Sequence, residues 1–253
     1  MDSISATSGR RSHHAINSIP MAPTPTSSPG PGHPASERPP AFPVEVVLDG
    51  ASCLVVGAGP VGARKARGLL ASGARVTVVA PRIGAHMKAL AADPSPGTLV
   101  VEVRPYRSPE AADHLLVVSA TGDPAVDAVV AADAVAAGTL VNRADSGGDG
   151  TGPTAGSVRF PAVHRDGPVT LTVSTAGSGP ALALWLRTRA AAALGPDVAL
   201  LARLVAEART ALQDTGRATD SIDWGPVLDE VAPLVAEGRL DEARRSLARL
   251  SGV

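Results

Sequence analysis

The chain has 253 residues, 44% of them apolar, which is material for one large core or two small ones. Its 23 Lys and Arg balance 24 Asp and Glu, and only 2% of residues are aromatic. That excludes both the basic excess of a phosphate-backbone binder and the stacking platforms of a single-strand binder, so nucleic acid is not an expected partner.

Residues 1–41 are rich in Pro, Ser, Thr and Gly. They hold too few large apolar groups to offset the entropy of ordering, and read as a disordered tail. Arg10-Arg11 invites a twin-arginine export reading, but Ser12, His13 and His14 follow and no apolar segment comes after them. No apolar run in the chain approaches the ~20 residues that span a bilayer. The expectation is an unexported, cytoplasmic protein without a membrane partner. The single cysteine, Cys53, fits a reducing compartment and excludes an internal disulfide; within Cys53-Leu54-Val55-Val56 it reads as a small buried side chain.

From Phe42 the texture changes to apolar strands alternating with Ala-rich amphipathic stretches, the pattern of a parallel sheet covered by helices. Strands are predicted at 52–56, 75–80, 98–103, 114–120 and 139–142, with helices at 60–72 and 124–137. Pro60 suits a first helical turn and Gly73 a helix exit. The Gly-rich run from Asp145 to Ser157 can only be a loop and marks a boundary, giving a first domain over 42–157. Residues 158–163 and 168–174 predict two strands joined through Arg165-Asp166-Gly167, followed by a helix from Pro180 that carries Leu182, Leu184, Trp185 and Leu186. Two strands alone make a marginal sheet, so 158–195 reads as a dimerisation segment completed by a second copy, and a homodimer is expected. Residues 196–253 read as helical, punctuated by Gly225-Pro226 and Gly238, with Val227, Leu228, Val231, Leu234 and Val235 as a packing stripe. The fold class is therefore α/β: a Rossmann-type parallel-sheet domain, a small dimerisation domain and a helical C-terminal region.

Gly57-Ala58-Gly59-Pro60-Val61-Gly62 is a GxGxxG directly after a buried strand and opening a helix, where dinucleotide binding requires it. Gly57 permits the tight turn, Gly59 lets backbone approach a pyrophosphate, and Gly62 lets the helix lie close to the sheet. The diphosphate would sit at the helix N-terminus, with its unpaired N–H groups and positive dipole end. The acid that usually holds the ribose hydroxyls about 20 residues on is missing; Ala80-Pro81-Arg82 stands there instead. Arg82 could receive the phosphate of NADP or be a solvated charge, so the residues themselves leave NAD and NADP both open.

Tyr106 is followed four residues later by Glu110, so the Tyr-x-x-x-Lys pair of short-chain dehydrogenases is absent, and only Lys65 and Lys88 exist as lysines. Near the carboxyl ends of the later strands stand Ser119 to Asp123 and Val141 to Asp145, with Asp145 the best-placed carboxylate. Without further context Asp145 reads first as a turn or helix-cap residue and only then as a catalyst. His86, His114 and His164 show no metal-ligand spacing, and no metal site is expected.

Several segments together resemble the precorrin-2 dehydrogenases, some of which are also sirohydrochlorin ferrochelatases, the family that forms the N-terminal module of siroheme synthases. They are Phe42-Pro43-Val44 with Leu48 and Cys53 to Gly57; Gly59 through Arg64-Lys65-Ala66 and Leu69-Leu70; Val76 to Pro81; Ala120-Thr121 with Asp123 and Val126; Asn142 with Asp145; Phe160-Pro161-Ala162; and Val173 to Gly177 before Pro180. The resemblance covers about residues 42–250. It implies NAD-dependent oxidation of precorrin-2 to sirohydrochlorin in siroheme (porphyrin) biosynthesis, with a lyase-type ferrochelatase activity as a further option. It makes the missing acid a family trait, which favours NAD. It implies Asp145 as the catalytic proton acceptor or orienting group. The cofactor would rest on Gly57, Gly59, Pro60, Val61, Gly62, Ala80, Thr121 and Asp123. The carboxylate-rich substrate would be met by Asn142, Arg143, Ser174, Thr175, Gly177 and Arg187, with Arg159 and Arg189 as further guanidinium candidates. Two departures stand out. The loop 146–157 is about six residues longer than the family's, beside the proposed catalytic residue, which speaks against strong metal insertion; and the methyltransferase module of siroheme synthases does not follow. A non-catalytic NAD-binding regulatory Rossmann module is the rival reading, and a dimerisation module with a vestigial nucleotide fold a third.

Overall fold

The computed structural model describes residues 41–93, 96–144, 156–216 and 222–251. The tail at 1–40 and Asp145 lie outside the described residues.

Five parallel strands form the main sheet: β1 (Ser52–Val56), β2 (Arg75–Ala80), β3 (Thr98–Val103), β4 (Leu116–Ser119) and β5 (Leu140–Arg143), in the order β3-β2-β1-β4-β5. Central β1 is covered on both faces, which is why Cys53-Leu54-Val55-Val56 is continuously apolar rather than alternating. Cys53, Val55, Val76, Val78, Leu116 and Val118 face α1 (Pro60–Leu70) and α2 (Ala85–Ala91), meeting Ala63, Ala66, Leu69, Met87 and Leu90. Leu54, Val56, Val79, Val117 and Val141 face α3 (Pro124–Ala136), meeting Val130, Ala131 and Ala134. Each fully buried Leu or Val contributes about 1.5–3 kcal/mol over exposure, so β1, β2 and β4 together anchor the core.

The predicted strand at 114–120 is shorter, because His114 and Leu115 precede the ladder: the Leu115 N–H donates to the Ser52 carbonyl and the His114 ring bonds the Ser52 hydroxyl at 2.8 Å. The predicted helix 60–72 stops at Leu70, where the N–H groups of Ser72 and Gly73 return to Leu69 and Leu70. The short helix α2 and a 3-10 turn at Glu110–Asp113 were not legible in the sequence.

Beyond the sheet, β6 (Ala162–Asp166) and β7 (Val169–Val173) form an antiparallel hairpin. The strand predicted at 158–163 is displaced, and the reason is local. Ser157 and Val158 are held to β5, both N–H groups donating to the Val141 carbonyl, and so cannot join the hairpin. The turn is Gly167 at φ +52, where a side chain would press on Ala199 of α5 (Val198–Asp214). Helix α4 (Pro180–Leu194) packs on both hairpin strands but buries none of its residues fully. Helices α5, α6 (Trp224–Ala236) and α7 (Leu240–Ser251) close over Leu204, Val231, Val235, Ala243 and Leu247. Gly238, at φ +74, ends α6 as predicted; Gly225-Pro226 does not interrupt a helix but lies in the first turn of α6, capped by Asp223.

Candidate functional site

The strand order reverses at β1 and β4, and the crevice outside the carboxyl ends of these neighbours is where doubly wound sheets bind nucleotides. The glycine turn occupies this point. Gly57 has φ +109, and a Cβ there would stand 2.2 Å from the Ala120 carbonyl oxygen of the opposite loop. A Cβ at Gly62 would lie 2.0 Å from the Gly57 oxygen. Gly59 is different: a Cβ built there meets nothing within 4 Å. Two glycines are thus required by the protein itself, and the third borders open space.

Gly59 also caps α1 in an extended conformation with no side-chain capping bond, and Pro60 occupies the first turn. The first-turn N–H groups are thereby presented to an anion, aided by the helix dipole. Val61 is 38% exposed above the turn, an apolar surface at the mouth of the crevice. This cradle fits a dinucleotide's pyrophosphate. On the β2 side, the Gly84 N–H donates to the Ala58 carbonyl at 3.1 Å and stitches the loop after β2 to the glycine turn. Ala80 is buried at the end of β2, while Pro81 and Arg82 are exposed. No carboxylate occurs from 81 to 92, as the sequence states.

The β4 side is more tightly built than the sequence suggested. The Asp123 carboxylate accepts from the N–H groups of Ala125 and Val126 and so caps α3. The Thr121 hydroxyl bonds to Asp123 backbone and to the carboxylate of Asp127, in the first turn of α3. Both Thr121 and Asp123 therefore have side chains engaged in holding the loop after β4 to the first turn of α3. Asp127 is completely buried and was not singled out in the sequence. The available signal was its place in a helical stripe with Val130, Ala131 and Ala134, where an apolar residue is the norm.

At the end of β5, Asn142 is buried and its side-chain amide donates to the Val158 carbonyl at 2.9 Å. The Ser157 hydroxyl accepts from the Val141 N–H at 2.9 Å. Asn142 and Ser157 thus fasten the end of β5 to residues 157 and 158. The Asn142 Oδ1 is buried without a partner among the described residues. Arg143 is half-buried at the end of the strand. The strap that follows lies beside α1, where the Lys65 ammonium sits 4.2 Å above the Phe160 ring. Burial, and then the neighbouring Arg64, lowers Lys65 to about 8. Burial likewise pushes the Cys53 thiol up to about 11, so it is a packed thiol and not a nucleophile.

Ser174, Thr175 and Gly177 lie on the hairpin unit, in the loop between β7 and α4, where Ala176, Gly177 and Gly179 all adopt positive φ. Arg187 reaches back to the Val163 carbonyl of β6 at 3.3 Å, and Arg189 stacks 5.0 Å from the Trp185 ring. The substrate-binding candidates are therefore divided between two sheets. Among the described residues no group of three His, Cys, Asp or Glu is arranged to hold a metal ion, and no helix is long and apolar enough to cross a membrane.

Residues 44–162 match the family described as "Putative NAD(P)-binding". Over 210 residues, 81% of its length, the chain is 34% identical to the siroheme synthase of Methylococcus capsulatus. It is likewise 34% identical over 83% of its length to siroheme synthase 1 of Halorhodospira halophila. It spans under half of these curated relatives, 42% of each. A solved structure named "SirC, precorrin-2 dehydrogenase" superposes with a TM-score of 0.65 over 84% of this chain and all of its own, at 24% identity, which establishes a shared fold. Fold, glycine turn and family match define an NAD(P)-binding Rossmann protein. Within that class, the chain is similar in sequence to siroheme synthases over most of its own length and shares the fold of the precorrin-2 dehydrogenase.

Proposed function

We propose that this chain catalyses the NAD-dependent oxidation of precorrin-2 to sirohydrochlorin in siroheme biosynthesis, as a cytoplasmic homodimer. One observation carries the reading. A glycine turn with open space above Gly59 stands at the switch point of the sheet, in a chain 34% identical to siroheme synthases over most of its length.

When bound, the nicotinamide ring supplies the hydride acceptor. The glycine turn and the α1 N-terminus hold the diphosphate, while Ala80, Thr121 and Asp123 form the crevice walls. The residues after β2 leave NAD and NADP both open, and the resemblance to precorrin-2 dehydrogenases favours NAD. Oxidation also releases a proton, and Asp145, two residues after Arg143 in the sequence, is its acceptor. Asn142 ties the end of β5 to Val158, and Arg143 is the guanidinium that meets a substrate carboxylate. Ser174, Thr175, Gly177 and Arg187 supply further donors from the hairpin unit.

The dimer reading rests on the two-stranded hairpin and on α4, which leaves Leu182, Leu184, Trp185, Leu186 and Leu194 exposed. On this reading 42–157 is the cofactor domain, 158–195 the dimerisation segment and 196–253 the helical domain.

The test is incubation with precorrin-2 and NAD, following NADH, alongside calorimetric titration of NAD alone. NADH production at the rate of sirohydrochlorin formation is expected. Binding without turnover would instead support the regulatory module, and no binding the vestigial one. Cobalt or iron insertion into sirohydrochlorin, measured on the same protein, is expected to be weak because the sequence between Asp145 and Val158 is longer than the resemblance leads one to expect.

A further inference from the structure

The Asp127 carboxylate lies in the first turn of α3, entirely buried, at the edge of the sheet where the cofactor crevice opens. Its side-chain bonds among the described residues run to the last residue of β4 and the loop after it. Its Oδ1 accepts from the Ser119 hydroxyl, from the Thr121 N–H at 3.2 Å and from the Thr121 hydroxyl at 2.8 Å. Its Oδ2 is buried with no partner among the described residues. No ion pair involving it occurs among the described residues.

For stability alone this is a poor choice of residue. The other buried positions of the same stripe are Val130, Ala131 and Ala134, and a desolvated carboxylate with one unmatched oxygen costs free energy that an apolar side chain avoids. What it does achieve is geometric. It ties Ser119, the last residue of β4, to Thr121 and so fixes Ala120 between them. The Ala120 carbonyl is the group that Gly57 approaches so closely that no Cβ fits.

We propose that Asp127 is a positioning residue for the dinucleotide: it sets the loop after β4 against the glycine turn and keeps the crevice at the width the cofactor needs. This rests on the cofactor site described above but assigns a role to a side chain that the bound molecule does not touch.

The contact pattern predicts which substitution is tolerated. Asparagine keeps an oxygen where Oδ1 is and can accept the same three bonds, while its amide replaces the unpartnered oxygen. Alanine accepts none. Wild-type protein and the variants Asp127→Ala, Asp127→Asn and Ser119→Ala are titrated with NAD by calorimetry, and their melting temperatures are recorded without cofactor. Asp127→Ala should weaken NAD binding at least tenfold per folded molecule, and Asp127→Asn should restore it to within about threefold of wild type. Ser119→Ala, which removes one of the three bonds at a side chain wholly buried from the cofactor, should fall between them.

A purely structural role would lower the melting temperature and leave the affinity of the folded fraction unchanged, and that result overturns the proposal. So does equal loss in Asp127→Asn and Asp127→Ala. Should Asp127→Ala not fold, Ser119→Ala decides, since unchanged affinity there rejects the role. Failure of wild-type protein to bind NAD at all would instead refute the cofactor site itself.

Discussion

The three glycines of the turn separate what the protein needs from what the cofactor needs. Gly57→Ala places a Cβ 2.2 Å from the Ala120 oxygen on a residue at φ +109, so strain and overlap add. With about 1–3 kcal/mol for the backbone conformation and about 1–3 for overpacking, the loss is roughly 2–6 kcal/mol. At about 2–4 °C per kcal/mol for a domain of this size, the melting temperature should fall by roughly 5–20 °C. Gly62→Ala puts its Cβ 2.0 Å from the Gly57 oxygen, and the better helix propensity of alanine, about 0.5–1 kcal/mol, does not offset that overlap. Gly59→Val should behave in the opposite way. Its φ of −78 and ψ of −174 suit a β-branched residue, and the side chain enters empty space. Stability should therefore stay within about 0.5 kcal/mol of wild type. Yet the isopropyl group fills the place of the pyrophosphate, so NAD affinity should fall on the order of a hundredfold. Thermal shift with and without NAD reads both effects, because ligand at about a hundred times Kd adds about 2.7 kcal/mol of stability. Unaltered NAD-induced stabilisation in Gly59→Val would refute the reasoning, as would wild-type melting in Gly57→Ala.

Three further outcomes follow from other parts of the chain. Asp145→Asn should retain NAD binding and slow precorrin-2 oxidation by about a hundredfold or more, the scale of general acid–base catalysis, and full turnover in that variant rejects Asp145 as the proton acceptor. Trp185, 56% exposed on α4, is expected at the dimer contact, so Trp185→Asp should sediment as a monomer where wild type sediments as a dimer; a monomeric wild type at micromolar concentration counts against the assembly. Lys65, lowered from 10.5 to about 8, makes stability depend on pH. Between those values the unfolded chain binds more protons than the folded one, so stability rises with pH. Relative to Lys65→Met, wild type should gain no more than about 1–2 kcal/mol across that window after allowance for partial exposure, and a flat difference in paired denaturant titrations removes the assignment.

The sheet and its cofactor turn were legible because each rests on a local signal. A strand buried on both faces must be continuously apolar, and Ser52–Val56 was bounded correctly on that ground; Arg75–Ala80 was legible from its β-branched residues, and the half-exposed edge strand Thr98–Val103 also kept its predicted bounds. The turn was legible because glycine spacing, a preceding strand and a following helix are all consecutive in the chain. The hairpin was half legible: composition showed two strands, but its register depended on Ser157 and Val158 being held by β5, a contact across the fold.

Asp127 shows the limit most plainly. In sequence it is one acid among 24 Asp and Glu, four residues beyond a helix cap. Only packing α3 on the sheet removes it from water and brings it to Ser119 and Thr121. The same holds for Lys65, whose neighbour Phe160 is distant along the chain and adjacent only because the strap returns past α1. Chain order determined where the elements and the glycine turn would be, since backbone conformation and side-chain periodicity act over a few residues. Which charged groups are buried, and against what, was decided by the tertiary structure, because desolvation belongs to an environment assembled from distant segments.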